Sequence, residues 1–365
     1  MVETLFAQYF SRNKVADEKG FPWFGDHLRY TGPGTTDYNK QVSDHLYDIA
    51  FNHGPKNGTL HFLPLDQRRE HPGGNALSSN KPRTRLNDDY FDPIRMLTLA
   101  EDLDMNGLAL HPDWAQIHKS MGLKVPLILK VTGTTNIATR ATGKPESDLL
   151  LHGVQGIMGA ARDLEAKAIG ATYYMGSSAN PFVARDMAIV FEAAKQVGLP
   201  VIVWSYPRGP EVDKLGQDAF HTVFGAVTDG CSIGAHVLKV NKPSAPTPEQ
   251  KAYALENYGP LKGTVAWEEK NTDLRTMLST LSETAHESGV GLILSGGSKS
   301  DPYGVLDLVQ VAMDGGVDGI INGRNISTTE ADPTGAETNN QMSQLEMLEE
   351  TRRILADYAR YRLGV

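Results

Sequence analysis

Residues 187–206, MAIVFEAAKQVGLPVIVWSY, contain the pattern on which the fold of this chain depends. Met187–Val197 has the apolar spacing of a helix, and Gly198 stands after its last residue, where a C-cap glycine is expected. Pro200–Tyr206 is a short, continuous apolar run, which is typical of a parallel strand covered on both faces. This order of helix, glycine and strand is the repeating unit of α/β proteins.

The same unit recurs along the chain. Ser288-Gly289-Val290 and Gly315-Gly316-Val317 repeat the step from a helix through glycine to a strand, and Asp92–Met105, Asp273–Ser288 and Val305–Met313 have helical spacing. Eight apolar runs predict strands: Leu60–Leu65, Gly107–His111, Pro126–Val131, Ala171–Gly176, Pro200–Tyr206, His236–Asn241, Val290–Ser295 and Gly319–Asn322. Eight such units predict a (β/α)8 TIM barrel. No GxGxxG follows the first run to favour the competing fold, an open doubly wound sheet.

Three segments lie outside this repeat. Residues 1–58 are expected to form an N-terminal extension packed on the barrel, and residues 59–365 the catalytic barrel itself. Residues 242–271 form an insertion after the sixth strand, either a wall or lid at the catalytic mouth or a surface excursion. The helical segment Asn340–Tyr361 is either the last barrel helix or an oligomer contact.

The composition of the chain argues against several classes of binding partner and cofactor. The net charge of −9 comes without a block of basic residues, which argues against nucleic acid or an anionic membrane as a partner. No window reaches the roughly 18 apolar residues of a membrane span. The single cysteine, Cys231, excludes an intramolecular disulfide and is expected to fill the core. The histidine spacings suggest no metal site. These features predict a cytoplasmic protein.

A lysine in the middle of an apolar strand is the strongest chemical signal. Lys239 lies in the run Val237–Val240, and a buried lysine tends to release its proton and become a nucleophilic amine. Lys130 has an analogous place on the third strand and could supply positive charge beside that nucleophile. Lys242 lies beyond the strand and is expected to be solvated. The alternative for Lys239 is a structural ion pair inside the barrel.

Polar side chains follow two other strands. Trp204, Tyr206 and Arg208 end the fifth strand, where Tyr206 could transfer protons or merely pack. Trp204 and Arg208 are expected to contact the substrate or its phosphates. Asp66 ends the first strand, where it could orient substrate hydroxyls or cap the following turn. His71, next to Glu70, is open to a catalytic or a structural role.

Glycine-rich segments follow the last two strands. Ser295, Gly296 and Gly297 come after the seventh, and Gly323 and Arg324 after the eighth. In this fold, glycine N–H groups and an arginine at these positions bind phosphate. With the strand lysine, they predict a Schiff-base enzyme for a phosphorylated carbonyl compound that needs no cofactor.

With these motifs the chain resembles the class I fructose-1,6-bisphosphate aldolases of the archaeal and bacterial type. The resemblance runs from about Leu60 to Arg324, and its most specific pieces are LPLDQRREH, AIGATYYMGS, GLPVIVWSYPRG, IGAHVLKVN, LSGGSKSD and GIINGRN. It implies reversible Schiff-base cleavage of fructose 1,6-bisphosphate into dihydroxyacetone phosphate and glyceraldehyde 3-phosphate by a homo-oligomeric barrel enzyme. The roles it implies are Schiff-base lysine for Lys239, proton transfer for Tyr206, substrate orientation for Asp66, an active-site wall for Trp204, and phosphate binding for Gly296, Gly297, Gly323 and Arg324.

The chain departs from the usual family pattern at three places. Arg68 stands where the family usually has glycine, the segment from Thr132 lacks an asparagine common in relatives, and the 242–271 insertion differs in length. These departures leave the aldehyde partner open. The alternative function is another lysine-dependent aldolase, synthase or thiolase-like transferase acting on a different phosphorylated ketose. A non-catalytic sugar-phosphate binding protein is the third hypothesis.

Overall fold

The computed structural model describes residues 37–66, 93–133, 149–296, 302–323 and 344–362. Its strands are β1 (Leu60–Pro64), β2 (Gly107–Leu110), β3 (Leu127–Lys130), β4 (Thr132–Gly133), β5 (Leu149–Leu150), β6 (Ala168–Met175), β7 (Val201–Pro207), β8 (Val237–Val240), β9 (Gly291–Ser295) and β10 (Gly319–Ile321). β4 and β5 pair with each other, and the other eight close into a parallel barrel in the order β1-β10-β9-β8-β7-β6-β3-β2. The predicted (β/α)8 fold is confirmed.

Helices cover the barrel. They are α1 (Asp37–Tyr47), α2 (Pro93–Asp102), α3 (Pro112–Ser120), α4 (Val154–Asp163), α5 (Asn180–Val197), α6 (Pro210–Leu215), α7 (Phe220–Ser232), α8 (Pro248–Asn257), α9 (Lys262–Glu268), α10 (Leu274–Glu287), α11 (Pro302–Asp314) and α12 (Gln344–Arg362). A π-helical turn, Asp48–Asn52, follows α1, and a 3₁₀ turn, Gly259–Leu261, separates α8 from α9. No described helix is long and apolar enough to cross a membrane.

Glycine ends the helices where the sequence predicted it. Gly198, Gly289 and Gly316 have φ values of 73°, 72° and 82°, a left-handed conformation that glycine adopts without a Cβ clash. After α5, the Leu199 N–H donates to the Ala194 carbonyl at 3.1 Å, which closes the helix and turns the chain into β7.

Alternation along the strands creates two apolar layers. Leu63, Leu108 and Leu238 belong to the layer between strands and helices, whereas Phe62 and Ile202 belong to the layer inside the barrel. Because both faces are covered, the strands are apolar without interruption. Charged side chains inside this barrel therefore need a specific explanation.

The segment before β1 closes the amino-terminal end of the barrel. Val42, Leu46 and Ile49 belong to the same buried cluster as the inward residues of the strands. The Asn106 side chain donates to the Ile49 carbonyl at 2.7 Å, and its Oδ1 accepts from the His61 N–H at 2.7 Å. With this end covered, the interior is accessible from the carboxyl ends of the strands, where barrel active sites lie.

The insertion after β8 packs on the helices that follow β7. Ser244 N–H donates to the Asp218 carbonyl at 2.7 Å, and the Tyr253 hydroxyl donates to Glu211 at 2.6 Å. At the end of α9, Glu268 is fully enclosed against His221 of α7. Residues 242–271 thus form a helical layer joined to α6 and α7.

Candidate active site

Two lysines are buried inside the barrel. Lys239 of β8 is 7% exposed and Lys130 of β3 is 0% exposed. The Lys130 Nζ lies 3.4 Å from Oδ2 of Asp66, which follows β1 by two residues. Lys239 makes no ion pair with the described residues, so the two lysines differ in their immediate surroundings. Among the described residues, Lys130 has a carboxylate partner and Lys239 has none.

The ionisation of Asp66 depends on this cluster. Burial alone would raise the pKa of the carboxyl, because the charged form loses its water. Lys130, Lys239 and His111 oppose burial and together hold the pKa of Asp66 below its usual range. Asp66 is therefore an anion at neutral pH. Lys239 and His111 both lie within electrostatic range of it.

Trp204 lies against both lysines. It is the register partner of Lys239 across β7 and β8, and it is 1% exposed. The centroid of its ring is 5.1 Å from the Nζ of Lys239 and 5.3 Å from the Nζ of Lys130, within the range of cation–π attraction. Gly170 of β6 makes room for the indole, since a Cβ there would lie 2.8 Å from the Trp204 Cζ3.

Tyr206 and Arg208 extend the site toward the mouth of the barrel. Tyr206 follows Trp204 by two residues and therefore lies on the same face, with its ring centroid 5.4 Å from the Lys239 Nζ. The Arg208 Cζ is 5.4 Å from the Tyr206 centroid and 5.9 Å from the centroid of Tyr174 on β6. From the interior toward the mouth of the barrel, the groups therefore lie in the order Lys239 amine, Tyr206 phenol and Arg208 guanidinium.

The two glycine-rich segments are neighbours, as β9 and β10 are adjacent in the barrel. Gly296 N–H donates to the Ile321 carbonyl at 3.2 Å, which joins the end of β9 to the end of β10. Ser295 and Gly323 are half-buried beside this contact. Gly297, Arg324, His71 and Arg68 lie outside the described residues.

A cavity of about 620 Å³ opens next to the charged cluster. Its lining residues are Leu65, His111, Pro112, Asp113, Trp114, Leu151 and His152. His111 lines this cavity and is also one of the groups that lower the pKa of Asp66, so the cavity lies next to the carboxylate. No group of three or more His, Cys, Asp or Glu side chains in the described ranges has the arrangement of a metal site.

Tyr174 and His111 are site residues that the sequence analysis did not select. Each carries a signal in the sequence: His111 ends the second predicted strand as Asp66 ends the first, and Tyr174 follows Thr172 by two residues on the inward face of its strand. Thr172 itself is buried, and its hydroxyl has no hydrogen-bond partner among the described residues.

The family follows from a comparison with known proteins. Residues 60–328, which include every barrel strand, match the DeoC/LacD family aldolases. The chain belongs to the DeoC/LacD aldolase family. The membership confirms the aldolase resemblance seen in the motifs.

Relatives of this aldolase share most of its length. The Halobacterium salinarum protein named class 1 fructose-bisphosphate aldolase is 28% identical over 281 residues, which cover 76% of this chain and 82% of that protein. The solved fructose-bisphosphate aldolase from Slackia heliotrinireducens has the same fold, with a TM-score of 0.66, 22% identity and 90% and 91% of the two chains covered.

An archaeal fructose-1,6-bisphosphate aldolase has been solved with its catalytic lysine covalently bound to the carbinolamine intermediate of its substrate. It matches this aldolase with a TM-score of 0.61 and 22% identity, and the match covers 86% of this chain and 99% of that one. The two proteins share the barrel fold.

Proposed function

We propose that this aldolase cleaves fructose 1,6-bisphosphate reversibly into dihydroxyacetone phosphate and glyceraldehyde 3-phosphate through a Schiff base on Lys239. The observation that carries the proposal is a buried lysine without an ion pair among the described residues, beside an ion-paired lysine, with Trp204 against both. The name of the Halobacterium relative and the covalent lysine of the archaeal structure support the choice of substrate and chemistry.

We assign the nucleophile to Lys239 because it has no carboxylate partner among the described residues. Asp66 forms an ion pair with Lys130, whereas the amine of Lys239 attacks the C2 carbonyl of the open-chain ketose. The carbinolamine that results loses water to form an iminium ion.

Carbon–carbon cleavage uses the iminium as an electron sink. Tyr206, having given its proton to the hydroxide that leaves the carbinolamine, accepts the proton of the C4 hydroxyl. The C3–C4 bond then breaks, glyceraldehyde 3-phosphate leaves, and an enamine remains on Lys239. Tyr206, whose ring centroid is 5.4 Å from the Lys239 Nζ, delivers the proton to C3. Water then hydrolyses the iminium, which releases dihydroxyacetone phosphate and restores the amine. Asp66 accepts hydrogen bonds from the substrate hydroxyls and thereby orients them.

The phosphate nearest the iminium carbon binds at the ends of β9 and β10. Ser295 and Gly296, one strand away from Lys239, and Gly323, two strands away, bring a hydroxyl and glycine backbone to that edge of the site. Cytoplasmic location and a homo-oligomeric state are part of the proposal. The single, half-buried Cys231 thiol supports the first, and the family resemblance supports the second.

Borohydride trapping tests this function. With fructose 1,6-bisphosphate, intact mass and peptide mapping should find one covalent adduct on Lys239, formed equally with and without EDTA. Lys239→Met should abolish both the adduct and turnover, whereas Lys130→Met, the matched control, should keep Lys239 as the trapped residue. An adduct on Lys130, or EDTA-sensitive cleavage without any adduct, would overturn the proposal. Trapping by other ketose phosphates, without cleavage of the bisphosphate, would indicate the alternative lysine-dependent aldolase.

A further inference from the structure

We propose that Tyr174 and Tyr206 form an aromatic platform that holds Arg208 for the distal phosphate, the one on the aldehyde half of the substrate. Tyr174 is then a positioning residue that sets the preference for a ketose bisphosphate over a ketose 1-phosphate. This inference rests on the proposed function and adds the means by which the site recognises its second phosphate.

The platform consists of two rings on adjacent strands. Tyr174 and Tyr206 are register partners across β6 and β7, and the Arg208 Cζ lies 5.9 Å and 5.4 Å from their centroids. Guanidinium groups stack on aromatic faces and are held there by cation–π attraction. The contact with two rings restricts a long side chain that would otherwise sample many rotamers.

The backbone beneath the guanidinium is also held in place. Arg208 N–H donates to the Met175 carbonyl at 2.9 Å, which joins the ends of β6 and β7. Gly209 allows close approach here, with φ of 128°, since a Cβ would lie 2.0 Å from the Gly176 carbonyl oxygen. The position of Arg208 is therefore determined from both its backbone and its side chain.

Most N–H donors of the Arg208 guanidinium have no acceptor among the described residues. Its Nη1 donates to the Pro207 carbonyl at 2.9 Å, and that is its one hydrogen bond within the described part of the chain. Its Nε is buried without a partner there, and no described carboxylate forms an ion pair with it. An arginine has five N–H donors in a fork that matches phosphate oxygens. A cation held with unused donors at the mouth of the barrel is suited to an anionic ligand.

The strand order determines which phosphate reaches Arg208. In the barrel, β8 with Lys239 lies between β9 and β10 on one side and β7 and β6 on the other. A substrate joined to Lys239 through C2, with its near phosphate at Ser295 and Gly296, extends its remaining carbons away from β9. Since neighbouring strands are about 4.8 Å apart, β9 and β7 are separated by roughly 10 Å, a span that a ketose bisphosphate can bridge.

The test compares two substrates that differ only in the distal phosphate, fructose 1,6-bisphosphate and fructose 1-phosphate. We expect Tyr174→Leu to lower the ratio of their kcat/KM values about tenfold, mainly through a higher KM for the bisphosphate. Tyr174→Phe keeps the ring and should restore most of the ratio. Tyr173→Leu is the matched control, because Tyr173 is buried on the opposite face of the same strand, with its hydroxyl 2.8 Å from Asp229. It should leave the ratio at the wild-type value.

If Tyr174 had a purely structural role, Tyr174→Leu would lower both kcat/KM values by the same factor and leave their ratio unchanged. An unchanged ratio would therefore overturn the inference. If Tyr174→Leu does not fold, Arg208→Lys replaces it in the same assay. Lysine keeps the charge but not the planar fork, so the ratio should again fall about tenfold, and an unmoved ratio would overturn the inference. Borohydride trapping separates the two proposals. If the wild-type protein neither cleaves fructose 1,6-bisphosphate nor forms an adduct, both proposals are refuted. If it forms the adduct but the kcat/KM ratio is the same in the variants as in the wild type, only the aromatic platform is refuted.

Discussion

Lys130 illustrates how one side chain sets the charge of another inside a closed barrel. Its Nζ lies 3.4 Å from Asp66, and it is among the groups that lower the pKa of that carboxyl against the effect of burial. We predict that Lys130→Met shifts the acid limb of the kcat/KM profile to higher pH. With the cation removed, burial dominates, the pKa of Asp66 rises and the carboxylate is lost at a higher pH than in the wild type.

The measurement for Lys130→Met is a pH–rate profile with fructose 1,6-bisphosphate. Removing one partner of a buried pair also lowers the free energy of unfolding by about 3–5 kcal/mol, so thermal melts should accompany the profile. Lys242→Met is the control, since Lys242 is exposed three residues beyond Lys239 and should leave the profile unchanged. An acid limb at the wild-type position in Lys130→Met would mean that Asp66 ionisation does not limit the rate.

At the scale of elements, one enclosed hydrogen-bonded pair of side chains joins the insertion to the barrel. Glu268 at the end of α9 lies 3.0 Å from the Nδ1 of His221, and the Nε2 of that imidazole lies 3.0 Å from the Leu215 carbonyl. The pair therefore connects α9, α7 and the end of α6. We predict that Glu268→Ala loosens residues 242–271 and lowers the free energy of unfolding by about 1–3 kcal/mol, because the buried imidazole of His221 loses its hydrogen-bond partner.

Limited proteolysis with mass spectrometry measures this effect. New cleavage in Glu268→Ala should map between residues 242 and 271, and the melting temperature should fall. Glu269→Ala changes the neighbouring, exposed carboxylate and should behave like the wild type. Equal cleavage rates in the two variants would mean that the insertion is held by its other contacts.

At the scale of the whole molecule, a buried histidine makes stability depend on pH. Burial, with a contribution from Arg352, lowers the pKa of His61 from 6.5 to about 3. The folded protein keeps this imidazole neutral, whereas the unfolded chain protonates it below pH 6.5. The contribution of His61 to the free energy of unfolding is therefore fully present above pH 6.5. It falls by about 1.4 kcal/mol per pH unit as the pH decreases toward 3.

Urea unfolding at pH 7 and pH 5 measures this dependence. We predict that His61→Gln reduces the loss of stability between these two pH values by about 2 kcal/mol, because glutamine does not titrate. His152→Gln alters an exposed histidine and should keep the wild-type difference. The same slope in wild type and His61→Gln would refute the assignment.

Sequence periodicity predicted most of the fold because helices and strands are defined by near neighbours. The strand runs and the C-cap glycines were identified in this way. Several boundaries differ from the predicted ones, and two of these differences have a clear physical reason. β6 begins at Ala168 rather than Ala171, because Gly170, a weak strand former, is needed there for contact with Trp204. α5 begins at Asn180 rather than Met187, with Pro181 in its first turn.

By itself, the sequence determined the barrel, the inward lysine on β8 and the glycine-rich segments after the last two strands, since each depends on residues a few positions apart. Only the tertiary structure decided that Asp66 forms its ion pair with Lys130 rather than with Lys239, and that Tyr174 shares Arg208 with Tyr206. These contacts join strands far apart in the chain. Their distances follow from the closure of the barrel, because closure alone brings those side chains into one interior.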